Sequence, residues 1–277
     1  MSAVGAPPAA TLPPRRRATT PALPLRTWAA SIALFVLAAV AWEAVARAGI
    51  FPAKLFPTLE AIGSALVRIT ANGTLLASVV ATLYRLAMGF LLAAAVGVTL
   101  GLLMGRHPWA EDLLLPVVSF MYPIPGIAYA PLFVLWFGLG DVPAILLVGV
   151  ASCFTVIINT WRGVKGVKPI WVRSATVMGA GDAAMFLKVV LPAALPSVLS
   201  GLRLGLAGAW RILIAVEMLM SVDRGLGWLI FGSQQFLNTD VMLATIAVIG
   251  VIGVLLEKQL FERLERRTVV RWGMIKA

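Results

Sequence analysis

The sequence predicts an all-α integral membrane protein: a six-helix polytopic bundle with a long cytoplasmic loop between the fourth and fifth spans. Three observations lead there. Of 277 residues, 60% are hydrophobic and only 13% charged, and the mean hydropathy is +0.95. Six apolar stretches lie near 28–47, 83–105, 113–137, 142–161, 193–220 and 237–256. Basic residues crowd into alternate connections. About 20 residues of helix cross a bilayer, and a helix satisfies its backbone within the segment. The alternation of a transmembrane β-strand is missing.

The formal charge of +11 would suggest nucleic acid in a soluble protein, but its placement reads as orientation. Six spans put both termini on one side, with Arg15, Arg16, Arg17, Arg26, Arg106, Arg162, Lys165, Lys168, Arg173, Lys188 and the cluster from Lys258 to Lys276. Opposite them stand Arg47, Lys54, Arg68 and Arg224. The positive-inside rule makes the termini and the 162–192 loop cytoplasmic and leaves no role for nucleic acid. Residues 1–26, rich in Ala, Pro, Thr and Arg, read as a disordered cytoplasmic tail, 27–258 as the membrane domain and 259–277 as a basic cytoplasmic tail.

Taken in order, the first span imitates a signal peptide but is long for one. A short amphipathic helix follows Pro57 on the outer side. The second span carries Gly89, Ala93, Gly97, Gly101 and Gly105 every fourth residue, a nearly bare face for close helix packing. The fifth repeats the device with Gly201, Gly205 and Ala209, which marks these two as central helices. The third is interrupted by Pro123, Pro125 and Gly126. Proline removes a donor and clashes with the preceding turn, so this segment is either a packing kink or the wall of a solute path.

Cys153 and His107 are single in the chain, so neither a disulfide framework nor a cysteine-based metal site is expected within it. There is no dinucleotide fingerprint, HExxH or GxxxxGK[ST]. No catalytic residue and no cofactor are expected, and any ATP hydrolysis must come from another subunit.

The loop 162–192 holds enough chain for two short surface helices, with Gly179 and Gly181 permitting a sharp turn and Pro192 suited to the start of the next span. These residues resemble the permeases of binding-protein-dependent ABC importers of the type I class. Their hallmark reads Glu-Ala-Ala, three residues, Gly, nine residues, then Ile-x-Leu-Pro. Here Arg173, Ser174 and Ala175 hold the first three positions, Gly179 the glycine, Val189 the isoleucine, and Leu191 and Pro192 close the motif. Segments 131–140, 158–167, 191–210, 215–219 and 225–230 are similar to the subgroup importing sulfonates, nitrate, taurine or bicarbonate.

The resemblance implies a bacterial inner-membrane, multi-pass subunit whose loop is a coupling helix seated on an ATPase. It implies a second permease subunit in a homodimer, two cytoplasmic ATP-binding subunits and an extracytoplasmic solute-binding protein. It favours a small anion as solute, with thiamine-precursor or riboflavin-type solutes as the alternative. The family's acidic first residue is Arg173 here, which changes the charge offered to the partner.

Arg211 and Glu217 lie inside the fifth span. Intramembrane charges face the bundle interior or a path, so both are candidates for it with Pro123, Pro125 and Gly126. Six residues apart, they sit on different helix faces and cannot easily pair. Arg85 and Glu43 are read as a structural pair. Two other classes compete: an ion-coupled secondary transporter, which needs coupling carboxylates near the midplane, for which Glu217 is a lone candidate, and a membrane scaffold with no transport role, which gives the broken third helix no purpose.

Overall fold

A computed structural model describes residues 25–220 and 223–261, with side chains over 32–220 and 223–258. Most of both predicted tails lies outside these residues. The chain divides into two compact units, 1–50 and 51–277. The first holds α1 (Leu25–Arg47), in which Arg47 Nε donates to Glu43 Oε1 at 2.6 Å.

In the second unit, every regular element among the described residues is helical. The predicted amphipathic helix is α2 (Leu59–Ala71), started by Thr58, whose Oγ1 accepts from the Ala61 N–H at 3.2 Å. It buries Ala65 and Ile69 against Leu229 and Val241, and Arg68 reaches Asp240 at 3.1 Å. The second apolar stretch is α3 (Thr74–Arg106), which begins nine residues before the hydropathy rises. The third is broken into α4 (Pro108–Met121) and α5 (Ala130–Phe137), joined through a 3₁₀ turn at 126–129. The two pieces are bent by 91°.

The fourth stretch is α6 (Asp141–Lys165). After α7 (Pro169–Val177) comes α8 (Asp182–Met185), then a wide π turn at 186–190 leading into α9 (Leu191–Leu219). The short α10 (Leu226–Gln235) and α11 (Thr239–Leu255) complete the unit. Among the described residues four helices are long and apolar enough to cross a membrane, and five spans result if the bent pair is one.

The small-residue face of α3 meets α6. A Cβ on Gly89 would lie 2.9 Å from Val148 Cγ1, on Gly97 2.7 Å from Val156 Cβ, and on Gly101 2.6 Å from Thr160 Cβ. The residue numbers differ by 59 at each of these contacts, so the two helices run parallel. Asp141, at the start of α6, lies 2.7 Å from Arg85. The chain leaving α3 at Arg106 has therefore climbed back by about 30 Å before α6 begins. The bent pair makes that return.

On the other side of α6, Gly201 faces Asn159 and Gly205 faces Val156, so α9 runs antiparallel to α6. The helix at the centre is thus α6, flanked by the two helices that carry the small-residue stripes. Of its most apolar stretch 56% is buried, against 28% for α3 and 17% for the helix containing α9. The expectation that the second and fifth spans are central is corrected. A stripe of glycine and alanine marks a helix that is approached closely, and the helix doing the approaching carries the side chains.

Candidate functional site

The predicted coupling residues surround the end of α7. Lys168 precedes Pro169 at the first helical position, where the missing N–H has no intrahelical partner to lose. The helix ends in a Schellman motif: the Gly179 N–H donates to Thr176 O at 3.0 Å and the Ala180 N–H to Ala175 O at 3.0 Å. Gly179 takes φ +80°, and nothing lies within 4 Å of a Cβ built on it. Its glycine is required by the backbone and not by crowding. Gly181 has φ −73°, which any residue adopts, so the turn depends on one glycine and not on two.

The chain then enters helix without a break before Pro192. Asp182 to Leu219 is one helix of 38 residues, where the sequence suggested a surface helix and a restart at Pro192. The π turn accounts for the difference. The Leu191 N–H donates to Phe186 O, and this widening makes room for a ring that would clash with a tighter preceding turn.

Ala175 is 4% exposed, whereas Arg173, Ser174 and Gly179 are exposed and Val189, Leu191 and Pro192 are half-buried. Several apolar side chains of the segment point out: Val177 is 89% exposed, Met178 80% and Leu187 59%. The segment is held to the spans by the Arg106 guanidinium, 4.8 Å above the Phe186 ring. Lys165, at the end of α6, pairs with Glu111 of α4. Arg173 has no charged partner among the described residues.

The candidate path residues fall into three places. Pro123, Pro125 and Gly126 form the break in the third stretch, with Gly126 lodged against Ala151 of α6 and Ile212 of α9. Arg211 is exposed on α9 and lines a groove of about 460 Å³ against α11, together with Trp210, Gly250 and Gly253. Its Nε donates to Ala207 O at 3.1 Å. The other charges in the groove, Arg203 and Glu257, pair at 3.3 Å.

Glu217 is elsewhere and 0% exposed. Its Oε1 accepts from Arg85 Nη1 at 2.6 Å, its Oε2 from the Gly227 N–H at 2.9 Å, and the Thr82 hydroxyl lies 3.0 Å from both oxygens. Arg85 Nε also reaches Asp141 at 2.7 Å. A Cβ on Gly225 would lie 2.6 Å from Glu217 Cδ, and one on Gly227 2.8 Å from its Cβ. The structure therefore encloses Glu217 in a socket with no open face. Arg85, read from sequence as a partner of Glu43, takes Glu217 and Asp141.

Thr82, Arg85, Asp141 and the two glycines were missed as one constellation. The available signal was a buried acid in α9 that must find a cation, and Arg85 in the second span.

Residues 97–270 match the model of the binding-protein-dependent transport system inner membrane component. The chain is 37% identical over 247 residues to the taurine transport system permease protein of Escherichia coli K12, covering 88% of this chain and 89% of that one. It is 34% identical over 245 residues to a putative aliphatic sulfonates transport permease protein of Bacillus subtilis, covering 88% of each. Among solved structures, an inward-facing form of the MetNI methionine ABC transporter aligns with a TM-score of 0.61 at 18% identity, over 70% of this chain and 96% of that one.

Proposed function

This chain belongs to the binding-protein-dependent transport system inner membrane components, the permeases of ABC importers, and on that premise we propose how it is assembled and driven. It is one of two identical membrane subunits, working with two cytoplasmic ATPase subunits and an extracytoplasmic solute-binding protein. The segment 169–192 meets the ATPase on the cytoplasmic side, and α1 supplies the sixth span. Both termini then lie in the cytoplasm, in keeping with the basic residues gathered at that level.

The observation that carries this reading is the form of the loop. Val177, Met178 and Leu187 hold their apolar side chains out from a rigid, capped turn. Such a surface gains by burial against a partner. The same chain continues as 38 residues of helix, about 57 Å long, so a displacement at the loop is carried across the membrane.

The solute is a small anion of the sulfonate or taurine class. Support comes from the relatives named above and from Arg211, an intramembrane cation with no acidic partner among the described residues. Pro123, Pro125 and Gly126, at the break in the third stretch, are further candidates for the wall of the path. Glu217 neutralises Arg85 within the fold, so it neither opposes an anion at Arg211 nor serves as the coupling acid of an ion-driven transporter.

The test is reconstitution with the co-purifying ATPase and binding protein, measuring ATP-dependent uptake of labelled taurine and of a thiamine precursor. Uptake of the anion that falls when Arg211 is replaced by Gln supports the assignment. Full uptake without any ATPase subunit would overturn it.

A further inference from the structure

The seam between α3 and α6 has a property that its close packing conceals. On α3 the contacting positions are Gly89, Ala93, Gly97, Gly101 and Gly105, one every four residues. Facing them on α6 at the same interval are Val148, Ser152, Val156, Thr160 and Val164, four of which are β-branched and nearly equal in volume. Sliding one helix past the other by four residues, about 6 Å, would seat nearly the same knobs on nearly the same bare positions. The hydroxyls of Ser152 and Thr160 do not oppose this, because neither has a hydrogen-bond partner among the described residues. The seam fixes the distance between the helices and leaves their axial register degenerate.

We propose that the charged cluster of Arg85, Glu217 and Asp141 sets that register. Arg85 and Thr82 belong to α3, Asp141 opens α6, and Glu217 lies near the end of α9. The cluster thus ties all three helices at a single level. Its bonds are directional, and Arg85 and Glu217 are buried, with side chains 4% and 0% exposed. A one-turn slide of α3 would carry the guanidinium about 6 Å from both carboxylates and leave Glu217 enclosed without its cation, the costly outcome for a buried pair. A polar group in an otherwise apolar helix interface selects register in this way. Register is a property of the folded chain alone; its value for moving the helices as one body rests on the transport reading above.

Disulfide mapping in the full-length chain tests this without ATPase or solute. The contacts of this seam fall 59 residues apart, so in a Cys153→Ser background the pair Ala93→Cys with Ser152→Cys reports the native register. Ala93→Cys paired with Val148→Cys or with Val156→Cys reports a one-turn slide in either direction, because each of those positions stands four residues, about 6 Å along the axis, from level with residue 93. With Arg85 and Glu217 intact, the 93–152 cross-link forms and the 93–148 and 93–156 cross-links do not. In Glu217→Gln or Arg85→Gln, a 93–148 or 93–156 product is expected to appear and the 93–152 product to fall. Where either variant does not fold, Thr82→Val removes the hydroxyl that bonds Glu217 and accepts from the Leu226 N–H, and a smaller shift of the same kind is expected. Retention of the 93–152 product alone, in folded protein of any of these variants, overturns the proposal.

Discussion

The helix from Asp182 to Leu219 ends in two unlike environments. At its start the capped turn of Gly179 is held by backbone hydrogen bonds, one cation–π contact from Arg106 and little else, and apolar groups are left outside. At its far end Glu217 accepts from two side chains and a backbone N–H and shows no surface. The contrast follows from what each end can exclude. On the proposed reading the loop end meets an ATPase and keeps its contact groups free, so its shape has to come from the main chain. An end that only other parts of the same chain can reach is free to commit its polar groups to them.

If that contrast is sound, the largest effect belongs to the socket. Glu217→Ala leaves Arg85 buried with only the half-exposed Asp141 as counter-charge, and unpaired buried charges cost about 3–5 kcal/mol. The expected result is a large fall in thermal midpoint and in the yield of folded protein in detergent. Replacing Arg85 and Glu217 together by Met should cost less than Glu217→Ala alone, which a thermal-shift comparison of the variants decides.

The seam ranks next. Gly101→Val would press a side chain into Thr160 and the Ile157 carbonyl, and overpacking of this kind costs about 1–3 kcal/mol. Gly208→Val on α9, where a Cβ meets nothing within 4 Å, should be close to neutral. Equal loss of thermal stability in the two variants would mean that close packing does not hold this seam.

How much of this could be read beforehand depended on the range of the signal. The break at Pro123 and Pro125, the stripe from Gly89 to Gly105 and the turn at Gly179 are local facts about backbone freedom, and each was legible. The central place of α6 was not, because a helix that supplies knobs looks like any other apolar stretch. The socket was not either. Arg85 and Glu217 are 132 residues apart, and only the packing of α3 beside α9 reveals which acid an intramembrane arginine has found. The wide turn before Pro192 escaped for a different reason. Proline usually marks a helix start, and a π turn is a rarer way to accommodate it.

At the loop end the expected effects are smaller on stability and larger on coupling. Gly179→Ala places a Cβ on a residue at φ +80°, a local cost of about 1–2 kcal/mol, while Gly181→Ala, at φ −73°, costs little. In the reconstituted transporter, Gly179→Ala should lower solute uptake per ATP hydrolysed, and Gly181→Ala should leave that ratio unchanged. Identical ratios in the two variants would show that the capped turn transmits nothing.

The smallest change, and the one that most sharpens the comparison, is Arg173→Glu. Arg173 is exposed and has no charged partner among the described residues, so its replacement should move stability by no more than about 0.5 kcal/mol. Whatever else it alters must then lie in a contact outside this chain. An ATPase surface matched to a basic residue would bind the Arg173→Glu variant more weakly, with the loss greatest at low ionic strength and fading as salt screens the charges. Binding of the isolated ATPase to the detergent-solubilised permease, measured across a salt series, separates the outcomes. A salt-dependent loss places Arg173 in the interface. Unchanged affinity at every salt concentration leaves it as one more positive charge of the basic loop, and the proposed docking surface then reduces to the apolar residues Val177, Met178 and Leu187.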